Sequence, residues 1–220
     1  MLHIFVNAEG GLTAAGYAAS IAAAVILFIL AVFIAGKVSN KKKMGARQLV
    51  FCAMSIALAF VTSYIRFLPM PFGGSVTLFS MLFIVMTGYW YGPKTGILVG
   101  FTYGILQFLQ EPYVLSLFQV CCDYLLAFAA LGVSGFFSKS RNGLLKGYIL
   151  AVLLRGVFHT LGGYLYWMSY MPDNFPQSLA FAYPVIYNYS YLLAEGALTV
   201  VLLCLPPVKR AFEQVRNLAL

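Results

Sequence analysis

Long apolar runs joined by short polar links constrain this chain more than any other feature of its sequence. Seven such runs occur, at residues 12–36, 47–66, 76–91, 93–110, 113–137, 147–169 and 178–205. A helix needs about 20 mostly apolar residues to cross the hydrocarbon layer of a membrane. Only 9% of the residues are charged, whereas a soluble domain carries roughly 25%. The sequence therefore predicts an all-α integral membrane protein with seven transmembrane helices.

The basic residues predict how these helices are oriented. Most of the 14 lie in every second connection or in the C-terminal tail: Lys37, Lys41, Lys42, Lys43, Arg47, Lys94, Lys139, Arg141, Lys146, Lys209, Arg210 and Arg216. Because loops rich in lysine and arginine stay in the cytoplasm, we expect a multi-pass cell-membrane protein with its N-terminus outside and its C-terminus cytoplasmic. Topology also explains the net charge of +8, so we expect contact with membrane lipids and no binding of nucleic acid.

Several motifs of enzymes and metal proteins are missing from the sequence. There is no glycine-rich loop ending in Gly-Lys-Ser/Thr, so the chain is not expected to hydrolyse ATP. His-Glu-x-x-His and Gly-x-Ser-x-Gly are also missing. The four cysteines lie in apolar runs without metal-ligand spacing. We therefore expect no catalytic residues, no metal site and no cofactor.

Small residues recur at every fourth position in two of the runs. One series is Gly96, Gly100 and Gly104, and the other is Ala53 and Ala57. This spacing lets helix backbones approach closely. It predicts tight packing, either inside the bundle or against another protein.

Ionisable side chains within the apolar runs are costly and indicate function. They are Asp123, Arg155, His159 and Glu195, with Gln119 and Asn188 as uncharged polar companions. With a rise of about 1.5 Å per residue, a side chain ten residues from the outer end of a helix lies roughly 15 Å deep. Asp123, His159 and Asn188 all have this position, so we expect them to converge at one level in the outer half of the membrane.

One predicted helix face combines charge with an aromatic ring. Arg155, His159, Gly163 and Trp167 follow one another at four-residue steps. Many tyrosines share the outer halves of the same helices: Tyr113, Tyr124, Tyr164, Tyr166, Tyr183, Tyr187, Tyr189 and Tyr191. An acid among aromatic faces suits a flat, cationic, nitrogen-rich ligand. The alternative is a structural polar network that joins the helices without binding a ligand.

Four stretches together resemble the thiamine-specific substrate-binding subunits of energy-coupling factor (ECF) transporters. They are YVLSLFQVCCDYLLAF at 113–128, RGVFHTLGGYLYWMSYMP at 155–172, YNYSY at 187–191 and GGS at 73–75. The resemblance spans about residues 45–205. It implies a six-helix substrate-binding domain at 45–220, preceded at 1–44 by an extra transmembrane helix and a basic linker.

The resemblance also implies the ligand, the site and the partners. Thiamine would lie in the outer half of the bundle, against Tyr113, Asp123, Tyr124, Arg155, His159, Gly163, Trp167, Tyr183 and Asn188. Asp123 and Tyr124 would contact the aminopyrimidine ring, and Arg155 would face the hydroxyethyl or phosphate end. Ala53 and Ala57 would pack on a transmembrane scaffold subunit, which two ATPase subunits drive.

Three other functions remain open on the sequence. The ligand could be another aromatic vitamin or a pyrimidine precursor, such as riboflavin or hydroxymethylpyrimidine. Asp123 and His159 could instead perform acid–base chemistry in a membrane-embedded enzyme. Finally, the chain could be a structural subunit without any ligand.

Overall fold

The computed structural model describes residues 4–5, 12–19, 22, 44–71 and 73–220. After residue 44 the helices are α1 (Ala46–Ser63), α2 (Ser80–Tyr91), α3 (Pro93–Gln110), α4 (Leu117–Phe137), α5 (Gly143–Tyr170), α6 (Tyr183–Cys204) and α7 (Pro206–Ala219). A 3₁₀ segment, Gln177–Ala182, leads directly into α6. The predicted helix at 12–36 lies mostly outside the described residues, as does most of the proposed 1–44 unit.

Each of the six predicted apolar runs after residue 45 contains one helix, as expected. α1, α4, α5 and α6, the last with its preceding 3₁₀ turn, are long and apolar enough to cross a membrane. α2 is only 12 residues long, and a single residue, Gly92, separates it from α3. The all-α membrane fold is therefore confirmed, with α2 shorter than a full crossing.

The connection between α1 and α2 is more regular than its sequence indicates. Its prolines and glycines predict an irregular loop, but β1 (Arg66–Pro69) and β2 (Ser75–Thr77) pair there as an antiparallel hairpin. Gly73 and Gly74 form the turn with φ of 87° and 80°, values that glycine adopts without steric cost. Phe72 lies outside the described residues. We call the end of the bundle that carries this structure the hairpin end.

Glycines bring the backbones of α2, α3 and α4 into direct contact. A Cβ atom on Gly132 of α4 would overlap the backbone of Gly96 on α3. Cβ atoms on Gly100 and Gly104 would overlap the carbonyl oxygens of Phe128 and Tyr124. The four-residue glycine spacing therefore serves packing inside the bundle.

The C-terminal helix α7 crosses the end of the bundle opposite the hairpin. The extended backbone at Leu205 separates it from α6. Near its end, the Tyr91 hydroxyl donates to the Ala219 carbonyl at 3.0 Å, and the Arg216 guanidinium lies 5.4 Å from the centre of the Tyr89 ring. Since the link that carries Lys94 and the link that carries Lys139, Arg141 and Lys146 also lie at this end, we call it the basic end.

Candidate ligand-binding pocket

A cavity of about 420 Å³ opens at the hairpin end, enclosed by the hairpin and by α3 to α6. Its lining includes every residue predicted for the site: Tyr113, Asp123, Tyr124, Arg155, His159, Gly163, Trp167, Tyr183 and Asn188. Ala53 and Ala57 lie elsewhere, exposed on the outer face of α1. The polar residues expected to converge at one level do so around this cavity.

Asp123 is the centre of the polar network. Its Oδ2 accepts hydrogen bonds from Gln119 Nε2 at 2.8 Å and Trp167 Nε1 at 3.3 Å. Its Oδ1 lies 3.4 Å from His159 Nδ1. Only 14% of the Asp123 side chain and 12% of the His159 side chain are exposed. Such a screened carboxylate interacts strongly with a donor that enters the cavity.

The Arg155 guanidinium determines which His159 nitrogen carries the proton. Arg155 Nε lies 3.2 Å from His159 Nε2, and a guanidinium nitrogen can only donate. His159 Nε2 is therefore the acceptor, and Nδ1 of the neutral ring carries the hydrogen that faces Asp123. Arg155 also lies over the Phe128 ring, 4.2 Å from its centre, where the aromatic face favours the cation.

Three aromatic rings form one wall of the cavity. The Tyr113 and Trp167 ring centres are 4.9 Å apart, and those of Trp167 and Tyr170 are 5.0 Å apart. The hydroxyls of Tyr113 and Tyr170 are hydrogen bonded at 2.8 Å. This bond, with partial burial, raises the pKa of Tyr113 to about 12, so its hydroxyl stays protonated at neutral pH. The wall is aromatic and neutral, with neighbouring rings tilted by 36° and 52°.

Two π-helical segments lie at the cavity. One spans Cys121–Leu126 in α4 and carries Asp123 and Tyr124, and the other spans Gly163–Trp167 in α5. π-helical turns are uncommon and often occur at functional sites. The wider turn in α5 departs from the regular four-residue stripe that the sequence predicts, yet Trp167 still reaches Asp123.

The wall from α6 depends on close packing against α5. A Cβ atom on Gly163 would lie 2.7 Å from Pro184 Cβ and 3.3 Å from Asn188 Nδ2. Asn188 Nδ2 donates to the carbonyls of His159 and Pro184 at 3.3 and 2.9 Å, and its Oδ1 accepts from Tyr191 at 3.1 Å. Asn188 therefore lines the cavity while holding α5 and α6 together.

Tyr124 and Tyr183 also hold neighbouring backbone in place. The Tyr124 hydroxyl donates to the Glu111 carbonyl at 2.8 Å and accepts from the Tyr113 N–H at 3.2 Å. The Tyr183 hydroxyl donates to the Tyr170 carbonyl at 3.4 Å. Both rings line the cavity, so each contributes an aromatic surface while its hydroxyl fixes a turn.

The hairpin is attached over the cavity by contacts that the sequence does not predict. Buried Glu195 accepts from the Thr77 N–H and hydroxyl, both at 2.7 Å, and from the Met81 N–H at 3.4 Å. The Tyr187 hydroxyl donates to the Gly73 carbonyl at 2.9 Å. These bonds join β2 and the turn to α6.

A second attachment joins the hairpin to the end of α3. Arg66 of β1 makes a two-pronged ion pair with Glu111, with nitrogen–oxygen distances of 2.7 and 3.1 Å. In the sequence these residues stand out only as charges in different links. Their pairing depends on the chain reversal at the hairpin, which no local pattern indicates.

No cluster of three metal-ligating side chains occurs among the residues that the structure describes. The described cysteines are unpaired, and they do not group with histidines or acids. The chemistry of the cavity is therefore that of an acceptor carboxylate, a guanidinium and aromatic rings.

Three comparisons with known proteins agree with one another. Residues 49–214 match the model of a family described as thiamine transporter protein (Thia_YuaJ). The curated thiamine transporter ThiT of Bacillus subtilis (strain 168) is 31% identical, over 76% of this chain and 92% of that protein. A solved structure of ThiT from Listeria monocytogenes is similar with a TM-score of 0.59 at 24% identity, over 73% of this chain and 94% of that chain.

Proposed function

We propose, because this chain belongs to the thiamine transporter protein family, that it binds thiamine as the substrate-binding subunit of an ECF-type vitamin importer. One observation carries this proposal: a screened carboxylate, Asp123, receives only hydrogen-bond donors and lies beside a wall of aromatic rings. Thiamine has the matching groups, since its pyrimidine bears an amine and its thiazolium ring is a cation. The ligand is transported unchanged.

The two ends of thiamine meet different groups in this proposal. The pyrimidine amine donates to Asp123 while the ring stacks against Trp167 and Tyr113. The thiazolium ring lies among aromatic faces, which stabilise a cation without a second carboxylate. Arg155 faces the hydroxyethyl group of thiamine, or the phosphate that this group carries in a thiamine phosphate. Tyr124, His159, Gly163, Tyr183 and Asn188 complete the cavity.

Release of thiamine into the cell needs energy from other subunits. The chain contains no ATP-binding loop, so we propose that it docks on a transmembrane scaffold driven by two ATPase subunits. Ala53 and Ala57 are exposed on α1, whereas Cys52, Ser55 and Ala59 on the same helix are buried. A small-residue face of this kind lets a partner helix approach closely.

The hairpin end faces outward in this proposal, and the basic end faces the cytoplasm. The distribution of lysine and arginine supports this orientation. The cavity opens at the hairpin end, so thiamine enters from outside. The C-terminal α7 then lies on the cytoplasmic side.

Titration of the purified protein with thiamine, followed by tryptophan fluorescence, tests the proposal. We expect binding below the micromolar range for the wild type. Asp123→Ala should weaken it by roughly 10- to 100-fold, because a hydrogen bond to a charged group contributes about 1.5–3 kcal/mol. Glu213→Ala, which removes an exposed acid on α7, is the matched control.

Two results would contradict the proposal. One is the lack of submicromolar thiamine binding by the wild type, and the other is normal binding by Asp123→Ala. Competition with riboflavin and hydroxymethylpyrimidine distinguishes related ligands, since we expect neither to displace bound thiamine at an equal concentration. Recovery of chemically altered thiamine would indicate an enzyme instead.

A further inference from the structure

We infer that Gln119 is a specificity-determining residue, which orients Asp123 as a hydrogen-bond acceptor and so selects an aminopyrimidine over an oxopyrimidine. The inference rests on the proposed function, because it concerns how the protein recognises the amine on the pyrimidine ring of bound thiamine. Gln119 acts through Asp123 and is therefore a positioning residue.

The Gln119 side chain has one possible amide orientation. Only 1% of the residue is exposed. Its Oε1 lies 3.1 Å from the backbone nitrogen of Leu115, and a backbone N–H can only donate. The amide oxygen must therefore face Leu115, which directs the NH₂ group at Asp123 Oδ2, 2.8 Å away.

The backbone around Gln119 keeps this orientation in place. Ser116 caps the first turn of α4, and its hydroxyl accepts from the Gln119 N–H at 3.0 Å. The Leu115 N–H immediately precedes this turn, so the helix start itself presents the donor that fixes the amide. Little freedom remains for the amide to rotate and offer its oxygen to Asp123.

Among the described residues, each hydrogen-bond partner of Asp123 donates a hydrogen. Gln119 and Trp167 donate to Oδ2, and the neutral His159 donates from Nδ1 to Oδ1. These donors hold the Asp123 carboxylate, which can only accept, in one orientation with its remaining lone pairs towards the cavity. An amine on the ligand satisfies them, whereas a ring carbonyl would place an acceptor against an acceptor.

The test compares thiamine with oxythiamine, in which an oxygen replaces the pyrimidine amine. We expect the wild type to bind oxythiamine roughly 10- to 100-fold more weakly, because buried polar groups without partners are costly. Gln119→Glu keeps the shape and the bond from Leu115, but places a second carboxyl group at Asp123. Two adjacent carboxyl groups share a proton, so this pair can donate to a ring carbonyl and the discrimination should fall at least about tenfold.

Gln119→Leu provides a second variant without a new charge. It removes the closest donor to Asp123, which leaves the carboxylate free to turn away from the ligand, so the ratio of the two dissociation constants should again fall towards one. Gln48→Glu is the matched control, because Gln48 bonds Thr95 at 3.2 Å near the basic end of α1, far from the cavity. It should keep the wild-type ratio.

The outcomes separate this inference from the proposed function. If the wild type does not bind thiamine, both fail. If it binds thiamine but Gln119→Glu and Gln119→Leu keep the wild-type ratio, only this inference is overturned. Equal weakening of both ligands would mean that Gln119 merely supports the fold. If Gln119→Glu does not fold, as judged by thermal unfolding in detergent, the inference is tested by the ratio of the oxythiamine and thiamine dissociation constants in Gln119→Leu.

Discussion

The two tryptophans of the chain occupy contrasting places. Trp167 lines the cavity and donates to Asp123, whereas Trp90 is 8% exposed and packs edge-on against Phe51, with ring centres 6.2 Å apart. We expect Trp167→Phe to remove the fluorescence response to thiamine and to weaken binding roughly 3- to 30-fold, because stacking and cation–π contacts contribute about 0.5–2 kcal/mol.

Trp90→Phe is the paired control for this prediction. It should preserve both the response and the affinity, since Trp90 lies in the packed core near the basic end. A response that survives in Trp167→Phe and disappears in Trp90→Phe would place the ligand elsewhere. Isothermal calorimetry provides the affinities independently of fluorescence.

A second prediction for a single residue concerns Glu195. Glu195→Gln places an NH₂ group where the carboxylate now accepts two hydrogen bonds from Thr77. We expect a loss of about 1–3 kcal/mol in stability, because one buried donor loses its acceptor. The measurements are thermal unfolding and the rate of proteolysis within the hairpin, with the exposed Glu213→Gln as the control. Unchanged proteolysis would mean that other contacts hold the hairpin.

Single residues differ in how clearly the sequence reveals their roles. Asp123 and His159 stand out because ionisable groups are costly within apolar runs. Gln119 is visible only as an uncharged polar residue, since its role depends on the Leu115 N–H and on the folded position of Asp123. Glu195 is recognisable as a buried acid, but its partner Thr77 lies 118 positions away.

At the scale of elements, the glycine contacts between α3 and α4 lead to a prediction. Gly132→Ala should destabilise the protein by about 1–3 kcal/mol or more, because its Cβ would overlap the Gly96 backbone. Gly196→Ala on α6 should stabilise it by about 0.5–1 kcal/mol, since its Cβ would lie 3.7 Å from Val152 Cγ1. Thermal unfolding in the same detergent measures both, and equal effects would contradict the packing argument.

The elements themselves were predictable to different degrees. Apolar length and the glycine spacing indicate α1 to α6, because membrane helices have a strong compositional signal. The hairpin was missed, since strands of four and three residues have too little length for an alternating pattern. The basic tail was recognised without its helix α7, and neither π-helical segment has a sequence signature.

At the scale of the whole molecule, capture and delivery should depend on different surfaces. A tryptophan at Ala53 or Ala57 would block close approach of a partner helix to α1, yet both positions lie outside the cavity lining. We therefore expect each variant to abolish thiamine uptake by cells while thiamine binding by the purified protein is unchanged. Leu198→Trp, at a 52% exposed position on α6, should retain uptake.

Loss of binding in the Ala57 variant would contradict this separation. Normal uptake by both alanine variants would remove α1 as the docking face. Copurification of the scaffold with the wild type and with each variant distinguishes failed docking from failed energy coupling. The remaining membrane-facing helices can then be examined in the same way.

The glycine contacts among α2, α3 and α4 also limit how this sequence can diverge over generations. Where helix backbones touch, few substitutions are tolerated. The glycines at these contacts should therefore change slowly over generations, and only together with the residues that they contact. The hairpin, α5 and α6 meet the ligand mainly through side chains and can vary one position at a time. Descendants with new ligand preferences should therefore differ first in those elements and in the ligand-facing side chains of α4, such as Gln119 and Asp123, and a mutational library restricted to these positions would sample altered specificity without losing the fold.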